Sequence, residues 1–459
     1  MSPRRWTIGL TGLLLLSGCM IGPNYRRPQI ALPANFTAAG TQWHQVGPFD
    51  RQDRGAWWTI FHDPELDRLE QLAMQHNTSV AVAVAQRDQA EAQLDAVRAS
   101  LWPTLTLSAQ QQRNHSYFFA QANHSVGLQA GWEPDFWGLA RRAIEQQGAA
   151  LAEVEAQMAS VRLSVAAQVA QTYFNLMQLR FKQDLDQQSL QDDDQLLRLI
   201  RGQEQAGIVN QASILQAQSI RDDAASQWQQ DRWQEEQLVH ALAVLCGELA
   251  SNFQIHAQTW PMLPPVPAAI PGDLILQRPD VAAAERSVAA ANAGIGLAEI
   301  AYFPSLTLSA SVSWEANKWG PWISAPDRFW SIGPSLAETL FDGGKRAAQV
   351  AQARANYRQM VASYRGVVLA SVQEVEDDLS ALQGLAQQQQ SSDSALQSAQ
   401  ANAQVSKNQL AAGIATQLDV LNAQLSVLNQ SQIELNIRTQ RYQNIVLLVQ
   451  ALGGLWSKS

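Results

Sequence analysis

Two stretches of the chain repeat apolar residues every three or four positions over a very long distance. The first pattern spans residues 144–176, the second spans residues 350–382, and no proline interrupts residues 139–245 or 345–452. This spacing is typical of an amphipathic helix. A helix over residues 137–204 would be about 100 Å long at 1.5 Å per residue. The sequence therefore predicts two very long helices.

Each long apolar pattern breaks at a glycine, at Gly207 and at Gly413, and then restarts. A glycine at such a break indicates the turn of a helical hairpin. After Gly413 the spacing is close to a heptad, which predicts a coiled-coil seam with two polar interruptions. The seam positions are Leu418, Leu421, Leu425, Leu428, Gln432, Leu435, Thr439, Tyr442, Val446 and Val449. We expect each long helix to reverse at its glycine and return.

Strict alternation of apolar and polar residues marks the short segments between the helices. One face carries Leu105, Leu107, Ala109, Val126, Leu128, Ala130, Trp132, Leu306, Leu308, Ala310, Val312 and Trp314. Period two predicts β-strands with one greasy and one polar face. Such strands fit either an ordinary half-buried sheet or a membrane barrel.

The order of these elements occurs twice because the sequence itself repeats. Trp102–Ala109 recurs as Phe303–Ala310, Phe136–Gly138 as Phe341–Gly343, and Ala206–Ile208 as Ala412–Ile414. Three matching blocks in one order indicate a tandem duplication of units of about 200 residues, within the usual size of a domain. Each unit reads as a helix, two strands, a very long helix, a tight break and a second helix.

The N-terminus has the pattern of a secretory signal. Basic residues, an apolar run over 8–16 and the small pair Ser17–Gly18 precede Cys19. The run is too short to span a bilayer, which needs about 20 residues. Residues 16–19 also resemble the bacterial lipoprotein box, in which the cysteine carries lipid; the alternative is an ordinary signal that contains a cysteine. Cys246, the second of 2 cysteines, is expected to be a buried small hydrophobe.

Composition and motifs exclude several classes of protein. A net charge of −9 argues against a nucleic-acid partner. The segment Phe341–Lys345 lacks the spaced glycines and the Ser/Thr of a phosphate loop and is better explained as a strand-to-helix turn. The 7 histidines are scattered, and no nucleophile elbow occurs. We therefore expect no enzyme, no metal and no cofactor apart from a covalent lipid on Cys19.

The predicted strands favour an assembly of several chains. In lipid every backbone group must be paired, so a sheet has to close, and the smallest such barrels have about 8 strands. Four strands can satisfy this only if several chains pool them. Aromatic residues at strand ends, as in the interface girdles of membrane barrels, favour that choice. They are Trp102, Trp132, Phe136, Trp137, Tyr302, Phe303, Trp314, Trp319, Trp322, Phe329 and Trp330.

The chain resembles the TolC-like outer membrane factors, in particular the NodT-type efflux lipoproteins, over nearly all of its mature length. The matching motifs are Gly22–Pro28, Trp57–Leu66, Arg278–Val281 running into Ala293–Gly296, and Gly413–Gln424. The resemblance implies a mainly α fold in which long antiparallel helices form a periplasmic α-barrel. It also implies a homotrimer whose four strands per chain make a 12-stranded outer membrane barrel.

The resemblance further implies a passive exit duct for small molecules in a tripartite efflux pump. The partners would be a periplasmic adaptor, an inner membrane pump that supplies the energy, and outer membrane lipid. The hairpin tips at Gly207 and Gly413 would dock the adaptor. Two alternatives stay open, a duct for type I protein secretion and a lipid-anchored periplasmic coiled-coil scaffold.

Family members close the tunnel at its periplasmic tip with acidic residues. Asp419 matches the upper aspartate of that constriction, and the next acidic position is Asn422 here. The tyrosine and arginine that lock some relatives correspond to Leu410 and Ala415. Because the first unit has Ser213 at the equivalent position, the resemblance predicts one ring of three carboxylates. The alternative for Asp419 is a solvated residue on a helix face.

These features divide the chain into six segments. They are a signal peptide (1–18), a lipidated extended segment (19–62), a first repeat (63–247), a Pro-rich linker (248–277), a second repeat (278–453) and a tail (454–459).

Overall fold

The computed structural model describes residues 20–30, 55–115, 120–256, 259–264, 272–316 and 328–454. The predicted lipidation site, Cys19, lies outside them. In chain order the elements are α1 (Pro64–His76), α2 (Thr78–Ala99), β1 (Thr104–His115), β2 (Ala120–Trp132), α3 (Leu139–Gln205), α4 (Gln211–Leu245), α5 (Pro279–Ile300), β3 (Ser305–Ala316), β4 (Arg328–Ala337), α6 (Lys345–Ala411) and α7 (Gln417–Ala451). Short 3-10 turns cover Trp57–Phe61, Ala250–Asn252 and Gly272–Gln277.

The duplication is visible in the lengths of the helices. Both long helices, α3 and α6, have 67 residues, and both return helices, α4 and α7, have 35. The order of strands, long helix and return helix therefore occurs twice, as the repeat predicts. At 1.5 Å per residue each long helix is about 100 Å in length. None of the helices in the described residues is long and apolar enough to cross a membrane.

The chain forms two compact units, and each takes segments from both repeats. The first comprises Met1–Ile30, Ala85–Glu155 and Ala282–Gly366, and it contains the four strands. The second comprises Ala31–Val84, Ala156–Val281 and Val367–Ser459.

The four strands form one antiparallel sheet in the order β1-β2-β3-β4. Leu107 pairs with Leu128, Leu128 with Val312, and Val312 with Trp330. Because directly paired residues point to the same side of a sheet, the apolar positions of all four strands share one face.

The second unit contains an aromatic cluster in its core. The rings of Phe61, Phe174 and Trp260 pack on or beside Tyr442, with centroids 4.8 Å apart for Phe174 and Tyr442 and 5.0 Å for Trp260 and Tyr442. Cys246 is buried, as expected, and its Sγ atom contacts the carbonyl oxygen of Leu69 at 3.5 Å.

Candidate functional site

The apolar face of the sheet is open to the outside. Leu107 and Trp330 are each 70% exposed, and Ile332 is 75% exposed. An ordinary half-buried sheet would cover these side chains with a core, and soluble monomers rarely leave such a large apolar patch uncovered. Within the described residues no core of the same chain covers this face, so it is available to lipid or to another chain.

The two edges of the sheet are also free. Within the part of the chain that the structure describes, no strand pairs with the outer side of β1 or of β4. Unpaired edge strands carry backbone donors and acceptors that promote pairing with another chain. The geometry therefore suits a sheet that other copies complete.

Aromatic residues cluster where the strands meet the long helices. The Trp137 ring lies 5.1 Å from that of Phe303, and its Nε1–H donates to the carbonyl of Pro304 at 2.7 Å.

In the second repeat Asp342 accepts from the Arg346 backbone N–H and from its Nε at 2.7 Å. This confirms that Phe341–Lys345 is a strand-to-helix turn.

The segment directly after Cys19 is fixed to the first unit by a buried arginine. Arg142, near the start of α3, is 0% exposed. Its guanidinium donates to the carbonyls of Ile21 at 2.9 Å and Gly22 at 2.8 Å, and it pairs with Glu145 at 2.6 Å. Charged groups are buried only when their hydrogen bonds are satisfied, so Arg142 requires the segment to be in place.

Close backbone packing holds the same segment on α5. A Cβ atom on Gly22, whose φ is +98°, would lie 2.4 Å from the Cα of Gly296. The Asn292 amide donates to the carbonyl of Pro23 at 2.9 Å, and the Tyr25 hydroxyl donates to Glu285. Residues 20–30 are thus seated against the unit that contains the sheet.

Both predicted hairpin tips have the same backbone. Gly207 and Gly413 each have a φ of +72°. The Gly413 N–H donates to the carbonyl of Leu410 at 3.0 Å, and the Ile414 N–H donates to that of Gln409 at 2.9 Å. These bonds form a Schellman motif, which satisfies the last carbonyls of a helix and needs a left-handed residue. The sequence-based assignment of both glycines to helix breaks is confirmed.

Asp419 lies at the start of α7, in a capping box. Its Oδ2 accepts from the Thr416 N–H at 2.7 Å and from the Thr416 hydroxyl at 2.6 Å, and the Asp419 N–H donates back to that hydroxyl. The Thr416 side-chain and backbone donors lower the pKa of the exposed Asp419 carboxyl. At the first tip, Asn210 caps α4 by accepting from the Ser213 N–H at 3.1 Å.

The predicted gate residues and the second tip glycine lie close together in the structure. Gly413, Asp419, Leu410 and Ala415 lie at one hairpin tip, where the Ala415 N–H donates to the carbonyl of Gln409 at 3.3 Å. The contacts of Arg142 are not predictable from the sequence, because an isolated arginine near a helix start is typical of a solvated residue. The capping box was readable from a threonine followed three positions later by an acid.

The sequence model of the outer membrane efflux protein family matches residues 69–248 and 270–454. The chain belongs to this family, and it is an outer membrane efflux channel.

Among its relatives, the pyoverdine export outer membrane protein OpmQ of Pseudomonas aeruginosa is 31% identical over 98% of both chains. The cation efflux system protein CusC of Escherichia coli O6:H1 is 27% identical over 97% of both chains. The solved structure of the outer-membrane channel OprN has a TM-score of 0.84 at 26% identity and covers 95% of this chain and 100% of its own.

Proposed function

We propose that three copies of the chain assemble into one duct. Their strands form a 12-stranded barrel in the outer membrane, and their helices form a tunnel through the periplasm. The observation that supports this assembly is a four-stranded sheet with an exposed apolar face and two free edges. Membrane sheets must close, and four strands are too few to do so alone.

The duct serves a tripartite efflux pump, with a periplasmic adaptor and an energised inner membrane pump as partners. The hairpin tips at Gly207 and Gly413 dock the adaptor. Support comes from the family and from relatives named for export and for an efflux system. The cargoes after which these relatives are named, pyoverdine and cations, differ from one another. A wide water-filled duct that does not itself select cargo fits this difference.

Cys19 carries the lipid that anchors each chain. Met20 to Ile30 follow it directly, and their seating on the first unit through Arg142 fixes the polypeptide next to the acyl chains.

Asp419 supplies the carboxylates of the periplasmic gate, one from each copy. Its exposed carboxyl lies next to the tip glycine Gly413, and its lowered pKa keeps it ionised at neutral pH in the single chain. Close like charges attract cations, as in the acidic rings of cation channels.

A matched pair of arginine substitutions in β4 tests the assembly. Ile332 lies on the apolar face, and its neighbour Ser331 lies on the opposite face, where its hydroxyl is 2.9 Å from that of Ser311. Arginine in contact with the lipid interior costs about 2–4 kcal/mol, whereas one facing water costs little. Ile332→Arg should greatly reduce heat-resistant trimers extracted from outer membranes, and Ser331→Arg should leave them near the wild-type amount.

Equal trimer yields from both variants would show that the sheet does not face lipid. Wild-type protein that never gives a heat-resistant trimer would instead favour the periplasmic scaffold. Cargo is identified separately, by reconstituting the pump in a strain without it and testing drugs, metals and dyes.

A further inference from the structure

A line of side-chain amides joins α7 to α3 in the second unit. The pairs are Gln450–Ser164, Gln443–Asn175, Asn436–Gln178, Gln432–Asp186 and Gln424–Asp192, with donor–acceptor distances between 2.6 Å and 3.5 Å. Residue numbers increase along α7 as those of their partners decrease along α3, so the two helices are antiparallel here. We call these five pairs the amide seam. Its donors are neutral, and two of its acceptors are carboxylates.

One of those acceptors belongs to a buried group of charges. Asp186 is 5% exposed, and Asp231 of α4 is 2% exposed. Lys182 lies between them, with its Nζ 3.0 Å from Asp186 Oδ2 and hydrogen-bonded to Asp231. Contact with the same Nζ therefore places the two buried carboxyl groups on either side of one cation. If both were ionised, this carboxyl pair would keep one negative charge that Lys182 does not neutralise.

The other groups around the pair leave that charge unbalanced. Gln227 donates to Asp231 Oδ1 at 3.0 Å, and Gln432 of α7 donates to Asp186 Oδ1 at 3.0 Å. The next cation on α3, Arg180, is bound to Glu235 of α4 at 2.8 Å. On α7, Glu434 is bound by Arg438 and accepts from Gln389 of α6.

We propose that the carboxyl pair is a proton-operated latch that holds α7 on α3 and α4. With one proton shared between Asp186 and Asp231, the group is neutral overall and Gln432 keeps α7 seated. Loss of the proton leaves a buried net charge, which water relieves when the amide seam opens around Gln432. This proposal rests on the proposed function in one respect, because α7, the helix that the latch holds, also carries Asp419 of the proposed gate.

The direction of the pH effect follows from the closed state. Burial first, and then the hydrogen bond with Asp231, raise the pKa of Asp186 to about 6. A carboxyl whose pKa is higher in the closed state favours that state at low pH, and this stabilisation is lost as pH rises through about 6. The seam around Gln432 should therefore open more readily at neutral pH than at pH 5.

Hydrogen–deuterium exchange of the full-length protein in detergent measures this opening. Exchange of amides in residues 428–436 is followed between about pH 4 and about pH 8 and corrected for the intrinsic rate. The protection factor should fall by about 10- to 100-fold between about pH 4 and about pH 6, with a midpoint near pH 5, because each unit of pKa shift corresponds to about tenfold. Unchanged protection across this range would overturn the latch.

Three variants separate the latch from a merely structural role. The side chain in Asp186→Asn is neutral at every pH, so the protection factor of residues 428–436 should stay at its low-pH value over the whole pH range. Asp192→Asn is the matched control, since Asp192 accepts from Gln424 of α7 at 3.1 Å but is not among the carboxylates that Lys182 binds. It should keep the wild-type midpoint. Gln432→Leu removes a donor to ionised Asp186 and should move the midpoint to higher pH.

A midpoint that persists in Asp186→Asn would contradict the latch, whatever the channel does. If Asp186→Asn fails to fold, the shift expected for Gln432→Leu decides instead, and an unmoved midpoint counts against the proposal. Single-channel conductance of the same variants tests the gate separately. Exchange that follows pH while conductance does not would keep the latch and show that it is not coupled to the gate at Asp419.

Discussion

At the scale of single residues, Arg142 shows how a buried charge can specify a chain path. A guanidinium is buried at low cost only when its donors are matched, and here backbone carbonyls of Ile21 and Gly22 provide two of the acceptors. Lysine would offer a point charge without the planar fork, so it would satisfy fewer of these bonds.

Arg142→Ala should release residues 20–30 from the first unit. Removing one partner from a buried ionic network costs about 3 kcal/mol, which corresponds to about a 100-fold increase in transient opening. Trypsin cleavage after Arg26 measures this release in the purified protein. Arg141→Ala is the control, because Arg141 bonds to Asp135 through its Nε at 2.9 Å and is partly exposed. Equal cleavage of both variants would disprove the role of Arg142.

Asp419 combines a capping role with the proposed gate, and two substitutions can separate them. Asp419→Ala removes both the charge and the acceptor for Thr416, whereas Asp419→Asn removes only the charge. If the carboxylates form the gate, both variants should raise single-channel conductance in planar bilayers and weaken cation selectivity. Ser213→Ala at the other tip should do much less. An effect of the alanine variant alone, or equal effects at both tips, would assign the constriction to other residues.

At the scale of elements, the hairpin tips show a turn set by backbone conformation alone. A Cβ on Gly413 would find no atom within 4 Å, so space is not the restriction. The restriction is the positive φ of +72°, which costs a residue other than glycine about 1–2 kcal/mol, and a β-branched residue more.

Gly413→Val should therefore lower pump activity while the amount of trimer stays normal, since the strain acts only at the tip. Gly413→Asn is the control, because asparagine tolerates the left-handed region and should keep more activity. Drug susceptibility of cells is measured beside trimer abundance. Loss of the trimer itself would mean that this glycine serves folding rather than docking.

The elements differ in how far sequence could predict them. The long helices, the strands and both glycine breaks follow from local periodicity and from the repeat, and the structure confirms them. The seating of residues 20–30 and the amide seam depend on which helices become neighbours. Gln432 reads as a break in a heptad and Asn436 lies outside the heptad positions, and no local pattern identifies Asp186 or Gln178 as their partners.

At the scale of the whole molecule, lipid and strands are two separate attachments to the membrane. Cys19→Ser should abolish lipidation, yet the protein should stay in the outer membrane as a trimer. Closed strands bury far more apolar surface than a few acyl chains, and one acyl chain alone gives only weak binding. Membrane fractionation with metabolic labelling by a fatty acid measures both effects. Soluble Cys19→Ser protein in the periplasm would favour the scaffold.

The amide seam has a consequence for cells that move between dilute and salty surroundings. Dissolved ions screen exposed charge pairs, and the Debye length shrinks from about 30 Å at 0.01 M to about 3 Å at 1 M. An exposed pair such as Arg87–Glu91 loses its attraction over that range. The side-chain donors of Gln424, Gln432 and Gln443 are neutral, so dissolved ions weaken their hydrogen bonds only slightly. The contact between α3 and α7 is therefore built to keep its strength when the ionic strength of the medium changes.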